Sequence, residues 1–371
     1  MYGVQPLYQS RIMKIRLLGK TPEELKKIVL EAGLPGFTAG QIAQWMYRKK
    51  VRSIDRMTNI SMSGRQKLSE KYEVGVTPWS EVMTSSDGTR KYLFPVSCTG
   101  KSSLALADDL KVSGDALEDG AVEAVMIPDA DRATLCVSSQ SGCRMGCKFC
   151  MTGRQGFHGH LSVADILSQF LAVDETDSLT NAVFMGMGEP LDNYENVMRA
   201  ITVLTSDWGF GWSPKRITLS TIGVLPALKR YLDESRCHLA VSLHDPFPDE
   251  RLSIMPAEKA WPAADILDLV RQYDFTGQRR VSFEYTMFAG FNDSIRHADA
   301  LSRMLRGLEC RVNLIRFHRI PDFPYSCPPD AVIRRFQERL NSNGVVATVR
   351  ASRGEDILAA CGMLAGRHEN K

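Results

Sequence analysis

The sequence predicts an α/β protein: a partial (β/α) barrel preceded by a small helical accessory unit. Two observations carry that expectation. From Thr134 onward, short β-rich runs alternate with amphipathic stretches at helical spacing, the signature of a parallel sheet built from βα units. The polar and glycine-bearing residues gather where those runs end, at GMGEP (186–190), Ser220-Thr221, Ser242 with His244, and Asn313, and strand C-termini are where such folds hold their chemistry.

The elements follow in order. Thr21, Pro22 and Glu24 supply an N-cap, a first-turn proline and a capping-box acid, and Leu25, Ile28, Val29 and Leu34 form the apolar stripe of a first helix. After the break at Gly33 and Gly36, Ile42, Trp45 and Met46 continue at helical spacing. Residues 1–80 are thus expected to form a helical, basic unit. Over 83–127 the period changes to two, with Asp87-Gly88 as a hairpin turn and an Asp, Glu and Gly-rich loop at 108–119, so 81–130 reads as a strand-rich connector. The barrel should occupy 131–371. Its seven candidate strands lie near 133–139, 182–188, 216–222, 238–244, 280–287, 311–317 and 345–351, one short of a complete barrel. Candidate helices include 162–173, 194–205, 263–273, 295–306 and 330–342.

With 371 residues, 44% hydrophobic and 24% charged, the chain has an ordinary globular composition and room for about two domains. No apolar run approaches the roughly 18 residues of a membrane span, so no membrane partner is expected. The formal charge of +3 conceals a segregation: residues 1–80 hold 14 Lys/Arg against 6 Asp/Glu, a net of +8, which leaves −5 for residues 81–371. The run Arg48, Lys49, Lys50, followed by Arg52, Arg56, Arg65, Lys67 and Lys71, reads either as a solvated face or as a nucleic-acid grip. Nine cysteines and no secretory-type leader point to the reducing cytosol, with thiols buried, metal-bound or reactive. The dozen residues before Met13 read as a frayed extension or an upstream start.

Three cysteines stand together. SSQSGCRMGCKFCMTG sets Cys143, Cys147 and Cys150 in a C-x3-C-x2-C pattern directly after the first barrel strand. Three thiolates in one loop cap one face of an inorganic cluster, whereas a closed tetrahedral zinc site wants a fourth protein ligand. A 4Fe-4S cube held this way keeps one iron open to a small molecule. His158 and His160 keep a zinc site in play as the alternative. Taken alone, Cys136 reads as core, Cys361 as a small buried residue on a terminal helix, and Glu123 as a solvent-facing strand residue. Cys98, Cys237, Cys310 and Cys327 match no motif.

The cysteine pattern, with Phe149 before the last thiol, resembles the radical S-adenosylmethionine superfamily. Longer segments narrow the likeness: VEAVMIP (122–128), ATLCVSSQSGC (133–143), FMGMGEPLDN (184–193), LSTIGVLP (219–226), VSLHDP (241–246) and DILAACGMLAG (356–366) resemble the RlmN and Cfr family of adenosine methyltransferases. The N-terminal QIAQWMYRKKVRSIDRMTN segment resembles that family's RNA-binding accessory domain.

This resemblance implies a barrel of the radical S-adenosylmethionine type, one 4Fe-4S cluster on Cys143, Cys147 and Cys150, and two S-adenosylmethionine molecules consumed per turnover. It implies cofactor contacts from Gly188, Glu189, Ser220, Ser242, Leu243, His244 and Asn313. Cys361 corresponds to a methyl-carrying cysteine, Cys136 to the thiol that resolves a protein–RNA adduct through a transient disulfide, and Glu123 to the proton acceptor. Ribosomal RNA of the large subunit, and transfer RNA with it, are the implied substrates. An electron donor and a thiol reductant are the implied partners. Pro190 in GMGEP favours the RlmN side, which acts on carbon 2 of adenine, over the Cfr side, which acts on carbon 8. A non-catalytic, zinc-stabilised RNA-binding protein is the contrasting expectation.

Overall fold

The computed structural model describes residues 14–97, 119–277 and 279–365. The leader before Met13, Cys98 and nearly all of the loop expected at 108–119 lie outside the described residues.

The chain opens with β1 (Ile15–Arg16), α1 (Pro22–Glu31) and α2 (Thr38–Ala43), which runs on into a π-helical turn at Gln44–Arg48. Then come α3 (Met62–Lys71) and β2 (Tyr72–Glu73), which pairs in parallel with β1. The predicted capping box forms: Glu24 N–H donates to Thr21 Oγ1 at 3.3 Å and Thr21 N–H to Glu24 Oε2 at 2.7 Å. This unit is fastened to the body by its own bases. Arg16 Nη1 meets Asp165 Oδ1 at 2.6 Å, Arg48 donates to the carbonyls of Asp207 (2.7 Å) and Phe210 (3.0 Å), Arg52 to that of Leu171 (2.6 Å), and Lys50 to that of Thr176. Four of the bases that colour the N-terminal sequence are therefore occupied as clamps.

Three antiparallel strands follow: β3 (Glu81–Thr84), β4 (Arg90–Ser97) and β5 (Asp119–Asp129), the last paired with β6 (Arg132–Cys136). The turn at Asp87-Gly88 falls between β3 and β4 as expected. These strands do not stand apart as a connector; they extend the barrel sheet at its first edge. A hairpin of β7 (Gln140–Gly142) and β8 (Phe157–His160) encloses the cysteine loop and α4 (Met151–Arg154).

Then the alternation sets in: α5 (Val163–Ala172), β9 (Asn181–Phe184), α6 (Tyr194–Thr205), β10 (Ile217–Thr221), α7 (Leu225–Glu234) and β11 (His238–Ser242). It continues with α8 (Pro248–Ile254), α9 (Ala263–Val270), β12 (Val281–Met287), α10 (Ile295–Met304), β13 (Cys310–Arg316), α11 (Asp330–Ser342) and β14 (Val346–Val349). Among the described residues the main sheet has ten strands lying side by side in chain order, and all seven predicted barrel strands run parallel within it, β6 and then β9 to β14. β6 and β14 do not pair, so the barrel stays open. Consecutive parallel neighbours joined by helices bury both faces of the strands, which is why the three central residues of β11 and all but one residue of β12 are buried.

The register aligns one polar row: Ser242 lies opposite Glu284, Glu284 opposite Asn313, and Asn313 opposite Thr348, on four adjacent strands. No helix among the described residues is long and apolar enough to cross a membrane.

Candidate active site

Cys143, Cys147 and Cys150 lie on the loop that leaves β7, and two glycines shape its surroundings. Gly142 has φ +70°, and a Cβ there would sit 2.0 Å from the carbonyl of Gly156, to which the Cys143 N–H donates at 2.7 Å. The three thiols line one cavity at the mouth of the barrel, with Gly188, Glu189, Ser220, Ser242, His244 and Cys361 on its other walls. Burial raises all three thiols, Cys147 to about 12.

Gly188 and Glu189 form the turn after β9. Gly188 has φ +97°, and a Cβ would meet that of Gln140 at 2.5 Å, so only glycine lets the chain pass. Gln140 Oε1 accepts the Glu189 N–H at 2.8 Å. The Glu189 carboxylate is itself held from three sides, by the N–H groups of Leu191 (3.0 Å) and Ile222 (2.9 Å) and by Thr221 Oγ1 (2.7 Å). Burial nevertheless pushes it up to about 7.

His244 follows β11 with φ +60°, unusual for a residue with a side chain. Its Nδ1 accepts the Thr286 N–H at 3.0 Å, which puts the ring proton on Nε2, and burial with the nearby Arg251 lowers it to about 3. The neutral ring packs edge-on against Phe149 at 4.9 Å, and Phe149 in turn contacts Phe288 and Phe323. Phe323 belongs to the irregular 317–330 stretch, which thereby covers the cysteine loop. Beneath the strand end, the fully buried Arg251 donates to the carbonyls of Leu243 (2.9 Å) and Ser242 (3.0 Å) and pairs with Glu258.

Two expected cofactor residues stand back from the cavity. Leu243 is buried and presents its backbone to Arg251, and the Asn313 amide is spent on Glu284 Oε1 (2.7 Å) and the Thr348 hydroxyl (2.9 Å). The wall position belongs to Glu284, which sequence reasoning missed although it is the one acid in β12, between Phe283 and Tyr285. Thr221, flagged in the sequence only as a strand-end polar residue, and Thr286, not flagged at all, also line the cavity.

Cys361 does not lie on a helix. It sits on a turn after Glu355–Ile357, accessible from the barrel side, where it lines both this cavity and a second one. The second cavity carries Arg132, Arg216, Arg316, Arg350 and Arg353. Cys136 and Cys361 are close enough for their charges to interact; burial raises Cys136 to about 12, and the Arg350 guanidinium opposes the rise.

Glu123 is buried rather than solvent-facing. Lys91 Nζ meets its Oε1 at 2.9 Å from the neighbouring strand, and the Ala365 N–H donates to its Oε2 at 2.8 Å. The segment carrying Cys361 is further pinned to the cysteine loop: the Met151 N–H donates to the Gly362 carbonyl (2.8 Å) and Thr152 Oγ1 to that of Leu364 (2.7 Å).

Two family models match the chain. That of the Radical SAM superfamily matches residues 137–301, and that of the ribosomal RNA large subunit methyltransferase N-terminal domain matches residues 15–74. A probable dual-specificity RNA methyltransferase RlmN of Porphyromonas gingivalis is 54% identical over 351 residues, covering 95% of this chain and 94% of its own length.

The chain belongs to the RlmN family of radical S-adenosylmethionine methyltransferases.

A dual-specificity RNA methyltransferase RlmN of Syntrophus aciditrophicus is 37% identical over 95% of this chain and 97% of its own. The crystal structure of a radical SAM methyltransferase from Sphaerobacter thermophilus superimposes with TM-score 0.85 at 36% identity, over 95% of this chain and all of that one. This RlmN family member is thus an S-adenosylmethionine-dependent methyltransferase with a 4Fe-4S cluster.

The donor set fits that cluster better than a zinc ion. Two sulfurs at about 2.3 Å from one zinc are at most about 4.6 Å apart. Among the described residues the one His/Cys/Asp/Glu triad gathered within 4.8 Å is Asp245, Glu250 and His297, so at least one pair of the three sulfurs lies farther apart than a shared zinc allows. Neither His158 nor His160 lines the cysteine cavity.

Proposed function

We propose that this RlmN family member methylates carbon 2 of adenosine in RNA, in large-subunit ribosomal RNA and in transfer RNA, through a methyl-carrying Cys361. The observation that carries the reading is the position of Cys361, on the wall of the cavity that also holds the three cluster thiols, Gly188 and Glu189.

Carbon 2 of adenine is electron-poor and lacks a lone pair, so it does not displace a methyl group from a sulfonium. When bound, the cluster and S-adenosylmethionine supply the methyl group and the one-electron chemistry, at two cofactor molecules per turnover. The protein's part is to carry, hold and release. Glu189 offers a carboxylate to the cofactor's ammonium group, and the neutral His244, with Ser220 and Ser242, lines its remaining contacts. Cys361 Sγ gives up its proton and takes the methyl group, and that carbon, after losing one hydrogen atom to the one-electron chemistry, bonds to carbon 2 of the base. Glu123, held in place by Lys91, accepts the proton from carbon 2. Cys136 Sγ, as the thiolate, then bonds to Cys361 Sγ as the carbon–sulfur bond breaks; the released carbon takes up a proton to complete the methyl group, the odd electron would return to the one-electron carrier, and a thiol reductant supplies two electrons to reopen the disulfide.

The five arginines beside Cys361 suit a polyanion at the mouth of the site, and the target base reaches the thiol only after leaving its stack. Mass mapping of RNA after reaction tests the reading. Methyl on carbon 2 supports it; methyl on carbon 8, or none with a loaded cluster, refutes it.

A further inference from the structure

Asp245 follows His244 but turns away from the cofactor cavity and is fully buried. Its Oδ1 accepts the Phe247 N–H at 2.8 Å, while its Oδ2, equally buried, has no hydrogen-bond partner. A carboxylate oxygen sealed from water and left unpartnered is costly, so its surroundings should explain it. They contain two further donors. Glu250 on α8 and His297 in the first turn of α10 meet at 2.7 Å through Oε2 and Nε2, and the donor atoms of all three residues lie within 4.8 Å of one another.

The nearby guanidiniums act on Asp245 only through space and do not hydrogen-bond to it. Arg251 spends its guanidinium on the carbonyls of Ser242 and Leu243 and on Glu258, while Arg296 reaches Glu250 Oε1 at 3.3 Å from an exposed position. Ser294 Oγ stands 2.6 Å from His297 Nδ1, an outer hydrogen bond that orients the imidazole with its Nε2 toward Glu250. Phe247 packs edge-on against that ring at 5.2 Å and shields it.

We propose that Asp245, Glu250 and His297 form a binding site for a divalent first-row cation, with zinc as the occupant. One imidazole and two carboxylates are donors that zinc accepts at about 2.0–2.2 Å, and three protein ligands leave a fourth position for water. Since the donors span up to 4.8 Å, binding draws the post-β11 loop, α8 and α10 together by roughly an ångström. The ion ties the residue after His244 to two helices and so fixes the strand end from which His244 meets the cofactor. The site is separate from the cysteine loop: none of its ligands lines that cavity.

The test uses the anaerobically prepared holoenzyme with its cluster intact, so that the cluster thiols are not open to zinc. It is equilibrated with about 10 μM free zinc, desalted, and its zinc and iron measured by mass spectrometry. The expected result is one zinc per chain above the cluster iron, with iron unchanged, and binding at least about tenfold weaker in Asp245→Asn, which keeps the shape and removes the charge. Thermal unfolding should shift upward with zinc chloride in the unsubstituted protein, not with magnesium chloride, and the shift should vanish in Asp245→Asn. Should Asp245→Asn not fold, Glu250→Gln, on the more open side, takes its place. No zinc uptake and no thermal shift in the unsubstituted protein, or equal uptake by both proteins, overturns the proposal.

Discussion

At the scale of single residues, Glu189 and Glu123 are both buried acids near the site, held in opposite ways. Glu189 has hydrogen bonds but no cation, and burial raises it to about 7. In the free protein it therefore keeps a proton that the unfolded chain would release above about 4.5, so its contribution to stability is present at low pH and declines as pH rises through that window. A bound ammonium reverses the preference. Cofactor binding should release close to one proton at about pH 6 and progressively fewer as the pH rises through about 7, which calorimetry in buffers of different ionisation enthalpy reads directly. Glu189→Gln should abolish that release and weaken binding by about 1.5–3 kcal/mol. Glu123 instead has Lys91. Lys91→Met strands a charge in the interior and should cost about 3–5 kcal/mol in denaturant unfolding, most of it recovered in the Lys91→Met, Glu123→Gln pair. That pairing was not legible in the sequence, because alternation in β4 and β5 gives two faces without saying which is covered. Lys91 and Glu123 face each other diagonally, Lys91 opposite Val125 and Glu123 opposite Leu93.

At the scale of elements, the parallel strands and the predicted helices were legible because each is amphipathic or wholly apolar over its length, and the cysteine loop because its spacing is short-range. Less legible was anything set by register. Asn313 was expected to face the cofactor, yet it lies in the row Ser242, Glu284, Asn313, Thr348 and hydrogen-bonds along it. The cavity wall falls to Glu284. Asn313→Ala should accordingly act through Glu284, leaving Ser282 as the remaining donor to its Oε1 and lowering cofactor affinity without loss of the cluster's visible absorption. Gly188→Ala should be more severe, since a positive φ and a 2.5 Å clash coincide; the expected result is an iron-loaded protein that no longer binds cofactor in equilibrium dialysis.

At the scale of the whole molecule, the uneven charge of the sequence pointed to nucleic acid and located it only in part. Arg16, Arg48, Lys50 and Arg52 clamp the N-terminal unit to the body, and both share one continuous apolar core. A second set of bases, contributed by β6, β13, the chain before β10 and the chain after β14, converges beside Cys361 within the part of the chain whose net charge is negative. Folding, rather than composition, makes that patch. Arg132→Gln with Arg353→Gln should lower RNA affinity and flatten its dependence on log salt by about 0.7–0.9 for each phosphate that is no longer neutralised. A weaker affinity with an unchanged slope would exclude phosphates as the partners of these two side chains.

Cys361 as the carrier of the methyl group to carbon 2 of an RNA adenosine, with Cys136 as the thiol that releases it, is tested most directly by mass analysis of both RNA and protein. The reaction is run anaerobically with isotopically labelled S-adenosylmethionine, comparing the unsubstituted protein, Cys361→Ala and Cys136→Ala. The expected result is labelled 2-methyladenosine from the first, no methylated base from the second, and RNA covalently attached through Cys361 in the third. Free methylated RNA released in repeated turnovers by either variant would be incompatible with these roles.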